Sequence, residues 1–275
     1  MQKNFPKQAG FKKIALIVGA GAVENAWQPV VKALNSHYNF DFQLDSDGAN
    51  SIMARLVYLL RFYSTGTFPD AEKGKNALLV EVNEIKSKIS LHLRLAQQNK
   101  TIRARKELKE ILYRFVFSEI NRSVLISTNW DTVIDTEINF LGESNYPKNG
   151  SDISALHIHG SIDSPVGLYL PSEVTREAYR TKEEDSQMGS IHGTTWGTIE
   201  ESNITILYGL SLDPLDAELC QTMAAGWSSP NLREIIIINP EHEKVAQRVK
   251  LLLDARYAAE ISGYSPNDLT KKIKY

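Results

Sequence analysis

One cysteine, Cys220, is all the thiol that the 275 residues hold. That excludes an intramolecular disulfide framework and a cysteine-built zinc ribbon. Long apolar runs are also missing, and a membrane-spanning helix needs roughly 20 such residues. No sign of charge dominates: 31 Lys and Arg stand against 33 Asp and Glu, a net charge of -2. No bulk positive field exists to hold nucleic acid or anionic lipid, so neither a direct nucleic-acid partner nor a membrane is expected. Internal repeats and low-complexity tracts are absent. What remains, 42% hydrophobic and 23% charged residues, is the composition of an ordinary globular protein with chain enough for a sizeable core. Lys3, Lys7, Lys12 and Lys13 ahead of the apolar residues 14–23 imitate a secretory leader. That stretch is short, holds two glycines and runs into Glu24-Asn25-Ala26-Trp27 without an evident cleavage site, so a cytoplasmic protein is expected.

Residues 14–18 form a compact aliphatic run without polar alternation, as expected of a strand buried on both faces. Gly19-Ala20-Gly21-Ala22 ends it. Residues 24–34 then read as a helix and residues 40–44 alternate weakly, a β-α-β opening with glycine at its turn. From about 46 to 120 the texture is helical. Asn50 is placed to cap a helix carrying Ile52, Met53, Leu56, Val57 and Leu60. Leu78, Val82, Ile85, Ile89 and Leu93 make a second stripe, and a third helix opens at Thr101 with Leu108, Ile111, Leu112, Phe115 and Val116. These stripes read as core packing, within a helical insertion in a single domain spanning residues 1–275.

After Ser123 short aliphatic runs return, each ending in small or polar residues. Val124-Leu125-Ile126 runs into Ser127-Thr128-Asn129-Trp130-Asp131, and residues 155–158 into His159-Gly160-Ser161. Residues 204–208 run into Gly209-Leu210-Ser211, and residues 235–238 into Asn239-Pro240. Helical patterns fall near 131–141, 214–226 and 241–255, while the polar segment 181–190 reads as a mobile surface loop. Such alternation predicts an α/β fold, a mostly parallel sheet with helices on both faces.

In an open α/β sheet, ligands bind outside the carboxyl ends of the strands. The strand endings should therefore converge on one crevice holding the glycine turn, Asn129, Asp131, His159, Ser211 and Asn239. No metal-ligand spacing joins them, and no metal is expected. Bare backbone at Gly19 and Gly21 would let a diphosphate reach peptide N–H groups and a helix N-terminus. Glu24, however, stands where the dinucleotide fingerprint has its third small residue, and a tight turn packed on a helix also accounts for the glycines. Asn129 both donates and accepts, so it can fix a water or a ribose hydroxyl without bringing charge, and Asp131 can accept from a carboxamide. Both residue types also cap helices. Trp130 reads as packing. An imidazole titrates near pH 6.5, which makes His159, nearest the strand end, the candidate base. His157, alternating with it on the strand, reads as a buried, hydrogen-bonded structural residue. His37, His92, His192 and His242 belong to no constellation.

Taken in order, GAGA, STNWD, HIHGS, GLSLDP and IIIINP resemble the sirtuin-like NAD-binding superfamily, and more closely the bacterial sirtuin-like NADases of anti-phage defence, over roughly residues 14–240. The resemblance implies a Rossmann-like fold with NAD as substrate. It gives Gly19, Ala20 and Gly21 to the diphosphate turn, Asn129 to the nicotinamide ribose, Asp131 to the carboxamide and the catalytic role to His159. Gly209 and Ser211 fall on the later phosphate- and ribose-contacting turn, and Asn239 near the adenosine ribose. The chain also departs from the family. One cysteine cannot build the four-cysteine ribbon of deacetylating sirtuins, and Glu24-Asn25-Ala26-Trp27 replaces their proline-aspartate-phenylalanine-arginine segment. Deacylation is thereby disfavoured.

What the resemblance implies is hydrolysis of NAD to nicotinamide and ADP-ribose through an oxocarbenium-like ribose, by an NAD-depleting effector of abortive infection. Two rivals stand beside it: a non-catalytic NAD- or ADP-ribose-binding sensor or assembly module, and an NAD-dependent dehydrogenase with Asp41 or Asp45 as acidic ribose ligand. Unchecked NAD hydrolysis would harm its own host. Control is therefore expected from a separately encoded partner, nucleotide-processing or nucleic-acid-sensing, or from self-association, docked on the helices between 50 and 120.

Overall fold

A computed structural model describes residues 12–117, 121–145, 154–164, 167–256 and 259–268. Its strands are β1 (Lys12–Val18), β2 (Val23–Glu24), β3 (Arg103–Ala104), β4 (Asn121–Ser127), β5 (Leu156–His157), β6 (Ile204–Tyr208), β7 (Glu234–Ile238) and β8 (Glu260–Tyr264). Six of them form one sheet in the order β5-β4-β1-β6-β7-β8, every pairing parallel, while β2 and β3 make a separate antiparallel pair. Counted in chain order, the six read 3-2-1-4-5-6, the order of the doubly wound dinucleotide-binding sheets. The fold is α/β and Rossmann-like.

The aliphatic runs are continuous because both sheet faces are covered. Ile14, Leu16, Val18, Ile206, Tyr208, Ile236 and Ile238 pack on one side. That side is covered by α1 (Gln28–Tyr38), α2 (Ser46–Thr65), α3 (Ala71–Gln98), α4 (Lys106–Ile111) and α5 (Val133–Asn145). The alternate residues Ala15, Ile17, Leu207, Ile235 and Ile237 face α6 (Lys182–Glu200), α7 (Ala217–Trp227) and α8 (His242–Leu252). Apolar residues of the helical segment after residue 46, Met53, Val57, Ile85, Ile89 and Leu108 among them, share one core cluster with the sheet.

Several elements lie elsewhere than the pattern predicts. The opening is not β-α-β. Phe40 and Phe42 stack in a row with Tyr38, centroids 5.3 and 4.9 Å apart, and no strand forms at 40–44. Asp45 closes that loop as the N-cap of α2, accepting from Gly48 N–H at 2.7 Å, so Asn50 lies inside the helix. The strand beside β1 is β4 instead. The helix predicted at 24–34 starts at Gln28: Val23–Glu24 pairs with β3, Asn25 takes a left-handed φ of 59°, and Pro29 fits the first turn. At Thr101 the chain turns rather than coils. α4 begins at Lys106 and runs on as a π-helical turn, Leu112–Val116, with Leu108, Ile111, Leu112 and Phe115 buried. The segment 181–190 is no loop but the head of α6. There Thr181 Oγ1 accepts from Glu184 N–H, and the Glu184 carboxylate accepts from Thr181 N–H. The run at 155–158 shrinks to a two-residue strand, leaving His159 in the turn beyond it.

One contact fixes the sheet's centre. Gly19 N–H donates to Tyr208 O (2.9 Å), Gly21 N–H to Gly209 O (2.9 Å) and Gly209 N–H to Ile238 O (3.0 Å), so the turns after β1, β6 and β7 are laced together. A Cβ on Gly21 would lie 2.8 Å from Gly209 Cα, and one on Gly209, whose φ is +68°, 2.4 Å from Ala22 N. Neither turn has room for a side chain. Gly209→Ala should therefore lose at least about 2 kcal/mol through backbone overlap and left-handed strain. Gly193→Ala, in open space on α6, should gain about 0.5–1 kcal/mol. Denaturant midpoints at constant m-value check both.

Candidate active site

The parallel sheet brings its carboxyl ends to one edge, and a cavity of about 600 Å³ opens there across the β1/β6 switch point. Small-molecule sites fall in the range of roughly 300–1,000 Å³. Gly19, Ala20, Gly21, Asn129, Asp131, His159, Gly209, Ser211 and Asn239 all line it, although scattered over more than 200 residues of chain.

Asn129 follows the end of β4, whose extension is held by Thr128 N–H donating to Val18 O at 2.9 Å. Its side chain is 5% exposed, and neither amide atom has a hydrogen-bond partner within the protein. An unsatisfied buried polar group costs roughly 1–3 kcal/mol, so this amide is held ready for a partner from outside the chain. Asp131, 3% exposed, accepts from Val133 N–H at 3.1 Å and so caps α5. Burial pushes its carboxyl up to about 6, against that bond and the nearby His157. Trp130 packs on the core while its indole N–H donates to Tyr169 O (3.0 Å).

The two histidines divide their work. His157 bridges Asn129 O (2.9 Å) and an Asp135 carboxylate oxygen (2.8 Å) and does not line the cavity. Burial, the largest single influence, opposes its charge, but Asp135, Asn129 O and Asp131 together raise its pKa. It is structural, as expected. His159 lines the cavity with Nδ1 3.3 Å from Thr128 O and Nε2 3.3 Å from Asp216 Oδ1. The Tyr169 ring stacks parallel on it at 5.7 Å. Burial again works against the cation, and Asp216, helped by Thr128 O and Glu218, overrides it to hold the pKa above the ordinary imidazole value.

The two glycines, Asn239 and Glu24 are each engaged within the protein. The N–H groups of Gly19 and Gly21 donate to Tyr208 O and Gly209 O, and α1 starts only at Gln28. The Asn239 amide donates to Leu210 O (2.7 Å) and accepts from Glu241 N–H (2.8 Å), tying the β7 end to the β6 turn. Glu24 pairs with Arg103 at 2.7 Å across β2 and β3 and does not line the cavity.

The structure also adds residues that sequence reasoning missed. Arg105 reaches the cavity from the helical segment, its Nε donating to Gly21 O at 2.9 Å. Lys244 and Arg248 of α8 line the opposite wall, with Tyr169 and Asp216 beside His159. Asp216 sits in the Asp-Pro-Leu-Asp run directly after the fourth strand ending, a signal present in the pattern but unused. Arg105 carried no signal, because only the β2–β3 pairing brings it to the glycine turn.

Beneath the site, residues 171–181 are anchored by two buried carboxylates. Glu173 accepts from Lys86 (3.2 Å), Arg180 (3.1 Å), the Tyr179 hydroxyl (3.2 Å) and Leu170 N–H (2.6 Å). Glu177 pairs with Arg61 of α2. No three His, Cys, Asp or Glu side chains gather as metal ligands among the described residues. No protein-family model and no curated protein matches the chain.

Because the Asp131 carboxyl titrates higher folded than unfolded, burying its charge costs stability above about pH 6 and nothing below its unfolded value. Asp131→Asn, which keeps the cap acceptor, should stabilise the fold by up to about 3 kcal/mol at pH 8 and little at pH 4. Urea unfolding at the two pH values measures the difference.

Proposed function

We propose that this protein hydrolyses NAD at the nicotinamide–ribose bond, releasing nicotinamide and ADP-ribose. The observation that carries the reading is the buried, unpartnered amide of Asn129, opening on the same switch-point cavity as His159. Nicotinamide leaves from a bond already weakened by positive charge, so the reaction asks the protein mainly for orientation. Asn129 would hold the attacking water or a ribose hydroxyl, His159 would take its proton, and Asp131 would accept from the carboxamide. Arg105, Lys244 and Arg248 would balance the diphosphate charge, in place of the glycine N–H groups. A placed base is typically worth about 10²–10⁴-fold. The strand order and the cavity size support a dinucleotide, and the sequence resemblance supports an NAD-depleting role in anti-phage defence.

One observation favours the binding-module reading: both His159 nitrogens already face acceptors, so the ring is not a free base at rest. Calorimetry showing tight NAD binding without nicotinamide release would select it. The dehydrogenase reading loses support, since Asp45 caps α2 and residues 40–44 form no strand to present Asp41. We assign control to a separately encoded partner, nucleotide-processing in kind, or to self-association. The helical segment, where Tyr58, Phe62 and Phe68 are exposed, is the surface for either. No described helix is long and apolar enough to cross a membrane.

Purified protein incubated with NAD, alone and beside the products of neighbouring genes, should release nicotinamide. Asn129→Ala and His159→Ala should each lower the rate at least about 100-fold. Asn129→Ala should keep full stability, since it removes an unsatisfied amide. Undiminished turnover by both folded variants would refute the roles.

A further inference from the structure

We infer that Asp216 is the positioning residue that decides when His159 can act as a base. The inference rests on the NAD-hydrolase reading for its kinetic half only. Both ring nitrogens of His159 face acceptors, Thr128 O at Nδ1 and Asp216 Oδ1 at Nε2, each at 3.3 Å. A neutral imidazole carries one N–H and can satisfy only one of them, whereas an imidazolium satisfies both. A carboxylate holds an N–H more strongly than a peptide carbonyl does, so Nε2 keeps its hydrogen toward Asp216 in either state. Nδ1 is therefore the nitrogen that exchanges its proton, and Asp216 is the group that holds the other.

Asp216 has no structural task to explain its place. It occupies the N-cap position of α7, where an aspartate ordinarily caps its own helix, yet its side chain makes no cap bond. The carboxylate turns to the cavity and to His159 instead. Glu218 and Arg180, the nearby charged groups, are engaged elsewhere. Glu218 of α7 accepts from the Tyr169 hydroxyl and from Thr175 N–H (2.8 Å). Arg180 lies over the Tyr169 ring at 4.8 Å, and His192 of α6 packs against Tyr169, burial holding it toward its neutral form. Stacked on Tyr169, whose N–H donates to His159 O at 2.9 Å, the imidazole cannot swing away from Asp216.

The chemistry follows from the proton count. While Nδ1 also holds its proton, no lone pair is available to a water. As pH rises that proton leaves to solvent through the cavity. In the hydrolytic step the water O–H bond breaks, an Nδ1–H bond forms, the hydroxyl oxygen bonds to the ribose carbon as the bond to nicotinamide breaks, and the Asp216 carboxylate stabilises the imidazolium produced. Asp216 thus strengthens the base while raising the pH at which it becomes free.

The test follows His159 by NMR in the full chain with ring-labelled histidine, the resonance assigned by its loss in His159→Gln. The wild-type midpoint should lie above the ordinary imidazole value and fall in Asp216→Asn, with Glu218→Gln moving it less. Nicotinamide release by Asp216→Asn should keep its KM, extend to lower pH on the acid limb, and reach a plateau about 10-fold lower. A wild-type midpoint at or below the ordinary value overturns the inference, as does an unmoved midpoint in folded Asp216→Asn or Asp216→Ser. A lower plateau with an unmoved acid limb also overturns it. If the midpoint shifts as expected but wild type never releases nicotinamide, the Asp216–His159 coupling stands and the hydrolase reading falls.

Discussion

Everything at the cavity depends on polypeptide turns that touch backbone to backbone. Gly19 and Gly21 can lie against Gly209 only because none of them carries a side chain, and the bonds among them leave β1, β6 and β7 ending at one level. That common level lets an amide after β4 and an imidazole after β5 open on the same space. It also uses up the peptide N–H groups that glycine turns elsewhere offer to phosphate. Side chains are at hand to meet an anion here, with Arg105 and Arg248 both anchored to carbonyls of these turns.

The lower rim of the site is held by charge. Two consecutive carbonyls after β4, Thr128 and Asn129, each meet a histidine nitrogen from the far side of β5, at 3.3 and 2.9 Å. A two-residue strand has too few ladder bonds to hold such a segment, and Asp135 compensates by gripping both His157 and Ala155 N–H (2.8 Å). Glu173 and Glu177 do the same for residues 171–181, reaching Lys86 and Arg61 on the helices that the sequence sets apart as an insertion. Buried ions of this kind add little net stability over apolar packing, but losing one partner strands the other, which makes the arrangement specific. The helical segment is thus wired to the wall behind His159 through Glu173, Arg180 and Tyr169.

How far the sequence could be read follows from the same physics. Strands covered on both faces write themselves as unbroken aliphatic runs, and their endings point to the crevice, so Asn129, Asp131 and His159 were legible as neighbours. Local signals misled where tertiary contacts decide. The weak alternation at 40–44 is an aromatic row, and the acidic, polar start of α6 looks like a loop until its capping box is seen. The glycines answer a further constraint that the sequence does not announce, a turn nearly 190 residues away. Arg105 and Asp216 became visible only once the sheet had brought them in. The half-buried edge strand β8, Glu-Ile-Ser-Gly-Tyr, carries too little apolar pattern to announce itself.

The strand order has a consequence for how the chain reaches its shape. β1 sits in the middle of the sheet, yet its neighbours β4 and β6 begin roughly 110 and 190 residues later. A nascent chain must therefore carry the aliphatic residues 14–18 unpaired while the whole helical segment is synthesised. Closing such distant pairs is slow and leaves an exposed aliphatic edge in the meantime. Helices α1 to α4 and the π-helical turn after them, which share a core cluster with the β1 face, are early shelter for it. On this view the long helical segment doubles as an internal chaperone for residues 14–18.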